Sequence, residues 1–203
     1  MLCAPKIVRT KKFVSAIACG PTIVSTSYLD FALKNNRLPL PEKHLLTDLD
    51  FVRTHNINLE EAVQRARQNQ KRLLKDWTIY CSDSVSGGFD TFKDIIAANG
   101  GHCQQWKGRG VPNATAKKRK IEKTDEVSQN QTEDEGDVLY LISEAKKSEF
   151  QNWVKFRELA KKHNMVPRIV KTEWLLYIAM AQKIHWNPEW ELKEEIVNSA
   201  AKK

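Results

Sequence analysis

Hydrophobic positions along the chain fall into two kinds of run. Short runs, mostly apolar and rich in β-branched residues, occupy 1–4, 22–25, 77–81, 138–143 and 166–170, and a further short run lies near 102–105. Between them lie longer runs whose apolar residues recur every three or four positions. Residues 10–19 put Phe13, Val14 and Ile17 on one helical face, closed by Gly20-Pro21. Residues 26–35 do the same with Tyr28, Leu29, Ala32 and Leu33. Asn58 caps a helix predicted over 59–75, with Glu60 and Glu61 in its first turn and basic residues toward its end, as the helix dipole favours. Further helices are predicted over 89–98, over 148–163 on a Phe150, Trp153, Val154, Leu159 stripe, and over 172–182. The stretch 37–48 reads as an extended linker. Strands alternating with helices predict an α/β fold of small parallel sheets covered by helices.

The pattern repeats. Pro21-Thr22-Ile23-Val24-Ser25-Thr26-Ser27-Tyr28-Leu29 returns 146 positions later as Pro167-Arg168-Ile169-Val170-Lys171-Thr172-Glu173-Trp174-Leu175. Six of the nine positions obey P-x-I-V-x-T-x-aromatic-L, and each copy follows a helical run and a short apolar run. A recurring unit of this kind predicts two copies of one module. The second copy has a strand, helix, Gly100-Gly101 turn and strand ahead of its repeated block; the first has no counterpart, because the sequence begins inside the corresponding strand. A half sheet leaves strand edges unpaired, so the expectation is that the polypeptide is a fragment of a longer one.

Composition narrows the function classes. No run reaches the roughly 18 apolar residues of a membrane span, and no signal peptide opens the chain. Cys3, Cys19, Cys81 and Cys103 stand far apart in sequence, with no C-x-x-C pair, which argues against a zinc site and for buried reduced thiols. No cofactor or metal is expected. The net charge of +8 and pI near 9.3 point to polyanionic partners. Residues 107–123 carry seven basic residues and one acid, while 124–137 carry six acids and no base. With few apolar residues, 107–136 are predicted to be a disordered insertion between two strands. Its Lys117-Lys118-Arg119-Lys120 run is a candidate nuclear-import signal, a weak motif because basic runs are common in solvated loops.

The order of strand, Gly-Gly turn, strand, helix and I-V-x-x-x-W helix resembles the BRCT repeat, a parallel four-stranded sheet with helices on both faces. Gly100, Gly101 and Trp174 match it in the second repeat; the first carries the later half, with Tyr28 where Trp is usual. Ile7-Val8-Arg9-Thr10-Lys11-Lys12-Phe13, Leu45-Leu46-Thr47-Asp48, residues 59–67 and Trp77-Thr78-Ile79-Tyr80 resemble more narrowly the tandem BRCT pair that ends DNA-damage scaffolds. The resemblance implies 1–37 as the C-terminal half of a first repeat, 38–74 as an inter-repeat linker with a helix, 75–192 as a second repeat and 193–203 as a polar tail. Tyr28, Trp174, Gly100 and Gly101 are then structural core positions.

The resemblance also implies a non-catalytic, nuclear module that binds a phosphoserine in a protein tail, in this subgroup the tail of the damage-marked histone, alongside other DNA-repair proteins. In such pairs a Ser/Thr and a backbone amide after the first strand, plus a Lys opening the second helix, hold the phosphate. That Lys matches Lys12, with Thr10 beside it, and Arg9 matches the residue that reads the peptide beyond the phosphoserine. An ammonium and a guanidinium suit those tasks. The strand and loop that carry the Ser/Thr are not in the sequence, so the expected phosphate binding is impaired. By charge pattern alone, Arg9, Lys11 and Lys12 read as a solvated basic turn, with Lys11 facing solvent. Two other functions stay open: a basic module making weak DNA contact, and a BRCT appendage of a DNA-repair enzyme. No membrane partner is expected.

Overall fold

The computed structural model describes residues 1–108 and 137–194. The Lys117, Lys118, Arg119, Lys120 run, nearly all of the expected insertion and the tail beyond 194 lie outside them. Strand β1 (Leu2–Cys3) pairs in parallel with β2 (Ile23–Val24), with α1 (Lys11–Ile17) between them in sequence and α2 (Ser27–Asn35) after them. Helices α3 (Leu49–His55) and α4 (Leu59–Asn69) lead to a second sheet. Its strands are β3 (Thr78–Ser82), β4 (His102–Trp106), β5 (Val138–Ile142) and β6 (Val166–Val170), all parallel and ordered β4-β3-β5-β6. Helices α5 (Phe89–Ala98), α6 (Phe150–Lys162) and α7 (Thr172–Ala181) complete it. The fold is thus α/β with two modules, the first showing two strands and the second four.

The 146-residue offset runs further in space than the sequence motif does. Ser25 N–H donates to His44 O at 2.8 Å, and Lys171 N–H to Trp190 O at 2.9 Å. Leu46 N–H donates to Ile23 O at 3.0 Å, and Leu192 N–H to Ile169 O at 2.7 Å. Antiparallel bridges join Val24 to Leu45 and Val170 to Glu191. Asn36 and Gln182 both end their helices in the left-handed conformation. Residues 37–48 therefore differ from the predicted extended linker: they form a 3₁₀ turn at Pro41–His44 and lay a short segment along β2, as Pro188–Trp190 and Glu191 do along β6.

Two hydrophobic clusters hold the molecule together. The larger crosses between modules, with Phe13, Val14 and Ile17 of α1 packed among Phe92, Ile95 and Ile96 of α5 and Trp174, Leu175 and Ile178 of α7. The smaller lies under α6, where Tyr80, Trp106, Trp153 and Phe156 meet across the second sheet. Trp174 is 1% exposed and stacks on Tyr140 at 4.5 Å and 6°. Tyr28 is also buried, but Leu29 and Leu33, expected on the same apolar face, stand 48% and 83% exposed. Their counterparts Leu175 and Ala179 are covered because α7 packs against α1 and α4.

Helix α4 stops six residues short of its predicted end. Gln70 and Lys71 turn left-handed, and the chain then plugs Leu74, fully buried, against the second module. Leu74 N–H donates to Asn99 O at 2.8 Å. Gly100 and Gly101 make room for this connection. Gly100 sits at φ +83° with the Lys71 carbonyl oxygen where a Cβ would fall, and a Cβ at Gly101 would meet Leu74 Cβ at 3.0 Å. The cysteines differ from the expected four buried thiols: Cys81 and Cys103 are buried, Cys3 is half-buried and Cys19 is exposed.

Candidate functional site

Helix α1 projects the residues singled out for phosphate and peptide. Its apolar face is fixed between α5 and α7, so the backbone that carries Arg9 to Lys12 is held by the core. Thr10 is the N-cap residue, extended at φ −78° and ψ 152°, exposed, and makes no side-chain capping bond. No acid occupies the first turn. Lys11 does not simply face solvent: its Nζ donates to Asp94 Oδ2 of α5 at 2.7 Å, and that bond raises its pKa. Arg9 lies at the seam between modules, its guanidinium 3.9 Å from the Glu173 carboxylate at the start of α7. Arg9 also acts electrostatically on His55, whose ring lies tilted at 46° against Phe51 with centroids 4.5 Å apart. Desolvation, and then the charge of Arg9, lower the His55 pKa. Lys12 is exposed and, among the described residues, has neither an ion pair nor a hydrogen bond.

Three neighbouring cations thus have three different fates. Lys11 joins the modules, Arg9 forms a loose ion pair with Glu173, and Lys12 presents an ammonium to solvent three residues after Arg9 in the chain. The long-range partners Asp94 and Glu173 were not foreseen. No local signal marks them, because each lies on a helix of the other module.

The equivalent region of the second module is chemically different. A cavity of about 540 Å³ opens beside the loop after β3, lined by Ser82, Asp83, Ser84, Trp106, Lys107, Glu149 and Asn152. Glu149 precedes α6, and its carboxylate accepts from Ser82 Oγ at 2.6 Å and Ser143 Oγ at 3.1 Å. Ser143 Oγ in turn accepts from Trp153 Nε1 at 2.9 Å. Hydroxyls that could face an anion are already committed to a buried carboxylate, and a phosphate there would meet like charge. Sequence reasoning missed this network, because Ser82, Ser143 and Glu149 lie far apart or in separate elements and no local pattern joins them. Among the described residues no cluster of His, Cys, Asp and Glu could hold a metal, and no helix is long and apolar enough to cross a membrane.

The comparisons with known proteins agree with this arrangement. Residues 1–46 match the BRCT domain of Regulator of Ty1 transposition protein 107. BRCT-containing protein 1 of Schizosaccharomyces pombe is 32% identical over 104 residues, half of this chain and 12% of that protein, so the chain corresponds to a small part of its relative. The crystal structure of the S. pombe Brc1 BRCT5-BRCT6 domains superposes with a TM-score of 0.67 at 23% identity, covering 97% of this chain and 83% of that one. The complex structure of Rtt107p with a phosphorylated histone superposes at 0.61 and 17% identity, covering 95% and 76%. With two parallel-sheet modules joined through α1, α5 and α7 and one offset relating their last strands, helices and caps, the chain has the fold of a tandem BRCT pair, and its first 46 residues carry the BRCT match.

Proposed function

We propose that the chain is a non-catalytic, nuclear phosphoserine-peptide-binding module of a DNA-damage response scaffold, with Lys12 on the phosphate and Arg9 on the residues that follow it. The observation that carries the reading is the exposed ammonium of Lys12, which has no ion pair or hydrogen bond among the described residues, three residues after an Arg9 that pairs loosely with Glu173. An ammonium exposed on a rigid helix gains a charge-assisted bond to a phosphate of charge −1.5 to −2 without first giving up a protein partner. Arg9 needs only a modest rearrangement at 3.9 Å from Glu173 to offer its planar fork to a terminal carboxylate. The solved neighbour in complex with a phosphorylated histone supports a phosphorylated histone tail as the ligand class.

In the family, a loop after the first strand adds a hydroxyl and an amide, each worth about 1.5–3 kcal/mol to a charged oxygen. Together they amount to about 3–6 kcal/mol, a factor of at least about a hundred. The 203-residue chain is therefore expected to bind a phosphoserine peptide weakly. A chain extended at its N-terminus by the strand and Ser/Thr-Gly loop is expected to bind in roughly the micromolar range, near −8 kcal/mol. Calorimetric titration of both with a phosphoserine tail and its unphosphorylated twin tests the proposal. Lys12→Ala should abolish binding by the extended chain, and Arg9→Ala should weaken it most for peptides ending shortly after the phosphoserine. Wild-type affinity in Lys12→Ala would mean that the basic turn is merely solvated.

A further inference from the structure

At the opposite end of α7 from Arg9, the molecule gathers a second set of cations. Between Ala62 and Lys75 the chain holds Arg65, Arg67, Lys71, Arg72 and Lys75, and no acid. The first two serve the fold. Arg65 Nε donates to Ala181 O at 2.8 Å, and Arg67 Nε to Gly20 O at 2.9 Å. Lys71, Arg72 and Lys75 lie exposed on the connection that follows. Lys183 joins them from the end of α7, because Asn69 Nδ2 donates to the neighbouring Gln182 O at 2.9 Å. Among the described residues Lys71 and Lys183 have no ion-pair partner, Arg72 meets Gln70 Oε1, and the exposed acid on the connection is Asp76.

The backbone beneath these cations is braced. Arg72 N–H donates to Asn69 O at 2.8 Å, Lys75 N–H to Arg72 O at 3.1 Å, and the buried Leu74 is tied to Asn99 O. Gln182 Nε2 closes the base by donating to Asn99 Oδ1 at 2.8 Å. Cations on a fixed backbone lose little conformational freedom when an anion binds.

We infer that this end, where α4, α5 and α7 terminate, docks the sugar–phosphate backbone of duplex DNA through Lys71, Arg72, Lys75 and Lys183. Its exposure and composition separate DNA from the alternatives. Neither the cavity around Ile169 and Leu192 nor the one around Ser82 and Glu149 is lined by these cations. A row of exposed point charges outside those cavities suits repeated phosphates better than one phosphorylated side chain. Two apolar residues, half-buried Leu73 on the connection and exposed Ile184 after α7, accompany these cations, too few for the apolar centre of a protein interface. No aromatic projects from the connection as a stacking platform, which disfavours a single strand. The ten residues of α7, about 15 Å long, separate this end from Arg9, so a phosphorylated tail and a duplex can be held together. The inference does not rest on the phosphoserine reading.

The test is fluorescence anisotropy with a random duplex of about 20 base pairs, from about 50 to 200 mM salt. The protein is the full chain with Lys117, Lys118, Arg119 and Lys120 replaced by alanine, so that this separate basic run does not contribute. That chain should bind with a steep salt dependence. Adding Lys71→Ala, Arg72→Ala and Lys183→Ala should weaken binding at least about tenfold at low salt and flatten the slope of log K against log salt by about 2–3. Adding Lys12→Ala instead should leave DNA affinity unchanged. All three patch residues are exposed, so the melting temperature should hold, and glutamine replacements should reproduce the loss. The inference is overturned if the patch variant binds the duplex like its parent. It is equally overturned if a glutamate-rich peptide binds as tightly as the duplex, or if the parent does not bind DNA.

Discussion

Trp174 shows how much one side chain can hold. It lies between sheet and inter-module helices, stacked on Tyr140 and 6.4 Å from Trp77. Replacing it with Ala empties a large volume that the surrounding elements cannot refill, and should destabilise the chain by about 3–5 kcal/mol in urea melts. A change below about 1 kcal/mol would contradict its burial. The thiols make a second prediction. The hydrogen bond between Cys81 and Cys103, followed by burial, pushes the Cys81 pKa far up, so in the folded protein it stays protonated. Iodoacetamide should modify Cys19 quickly, and Cys81 and Cys103 only on unfolding, as read by mass spectrometry. The sign of the linkage follows. A pKa raised by folding contributes stability below the unfolded value, which is lost as pH rises past the ordinary thiol range near pH 9. The Lys11–Asp94 bond acts in the same direction at still higher pH. At this scale little of the site was legible: charge pattern alone makes Arg9 and Lys12 an ordinary basic turn. Only the resemblance picked them out, and their surroundings depend on α5 and α7.

Elements with their own local signals were read closely. Helix α5 has the bounds predicted from its periodicity, and β6 matches its predicted run. Where tertiary contacts decide, the reading failed. The α4 prediction ran on through Leu73 and Leu74, whose apolar character continues the helical pattern but serves to plug the second module. Helix α3 went unseen because seven residues capped by Asp48 give too short a period to detect. The plug makes a test of the Gly-Gly turn. Gly100→Ala must place a side chain at φ +83° against the Lys71 carbonyl, so it should destabilise by more than about 1 kcal/mol. Gly88→Ala, also at positive φ but with nothing within 4 Å of the added methyl, should carry only the backbone penalty. Equal losses by the two in denaturant melts would show that the connection does not dock tightly.

Across the whole molecule, one hydrophobic cluster runs from α1 of the first module into α5 and α7 of the second. The modules should therefore unfold together, giving one calorimetric transition whose van't Hoff and calorimetric enthalpies agree. Two resolved transitions would show that the seam is weaker than its packing implies. The surface is less even than the core. Of eleven exposed large hydrophobic residues among those described, seven lie between Leu29 and Val52. The seam also has a consequence for synthesis. Phe13, Val14 and Ile17 are made early, but Ile178, part of what covers them, emerges about 160 residues later. At roughly 5–20 residues per second, that leaves an apolar helix face uncovered for about 8–30 seconds on the ribosome. A nascent chain paused before α7 should accordingly be held by chaperones that bind apolar segments, and released once α7 has cleared the exit tunnel.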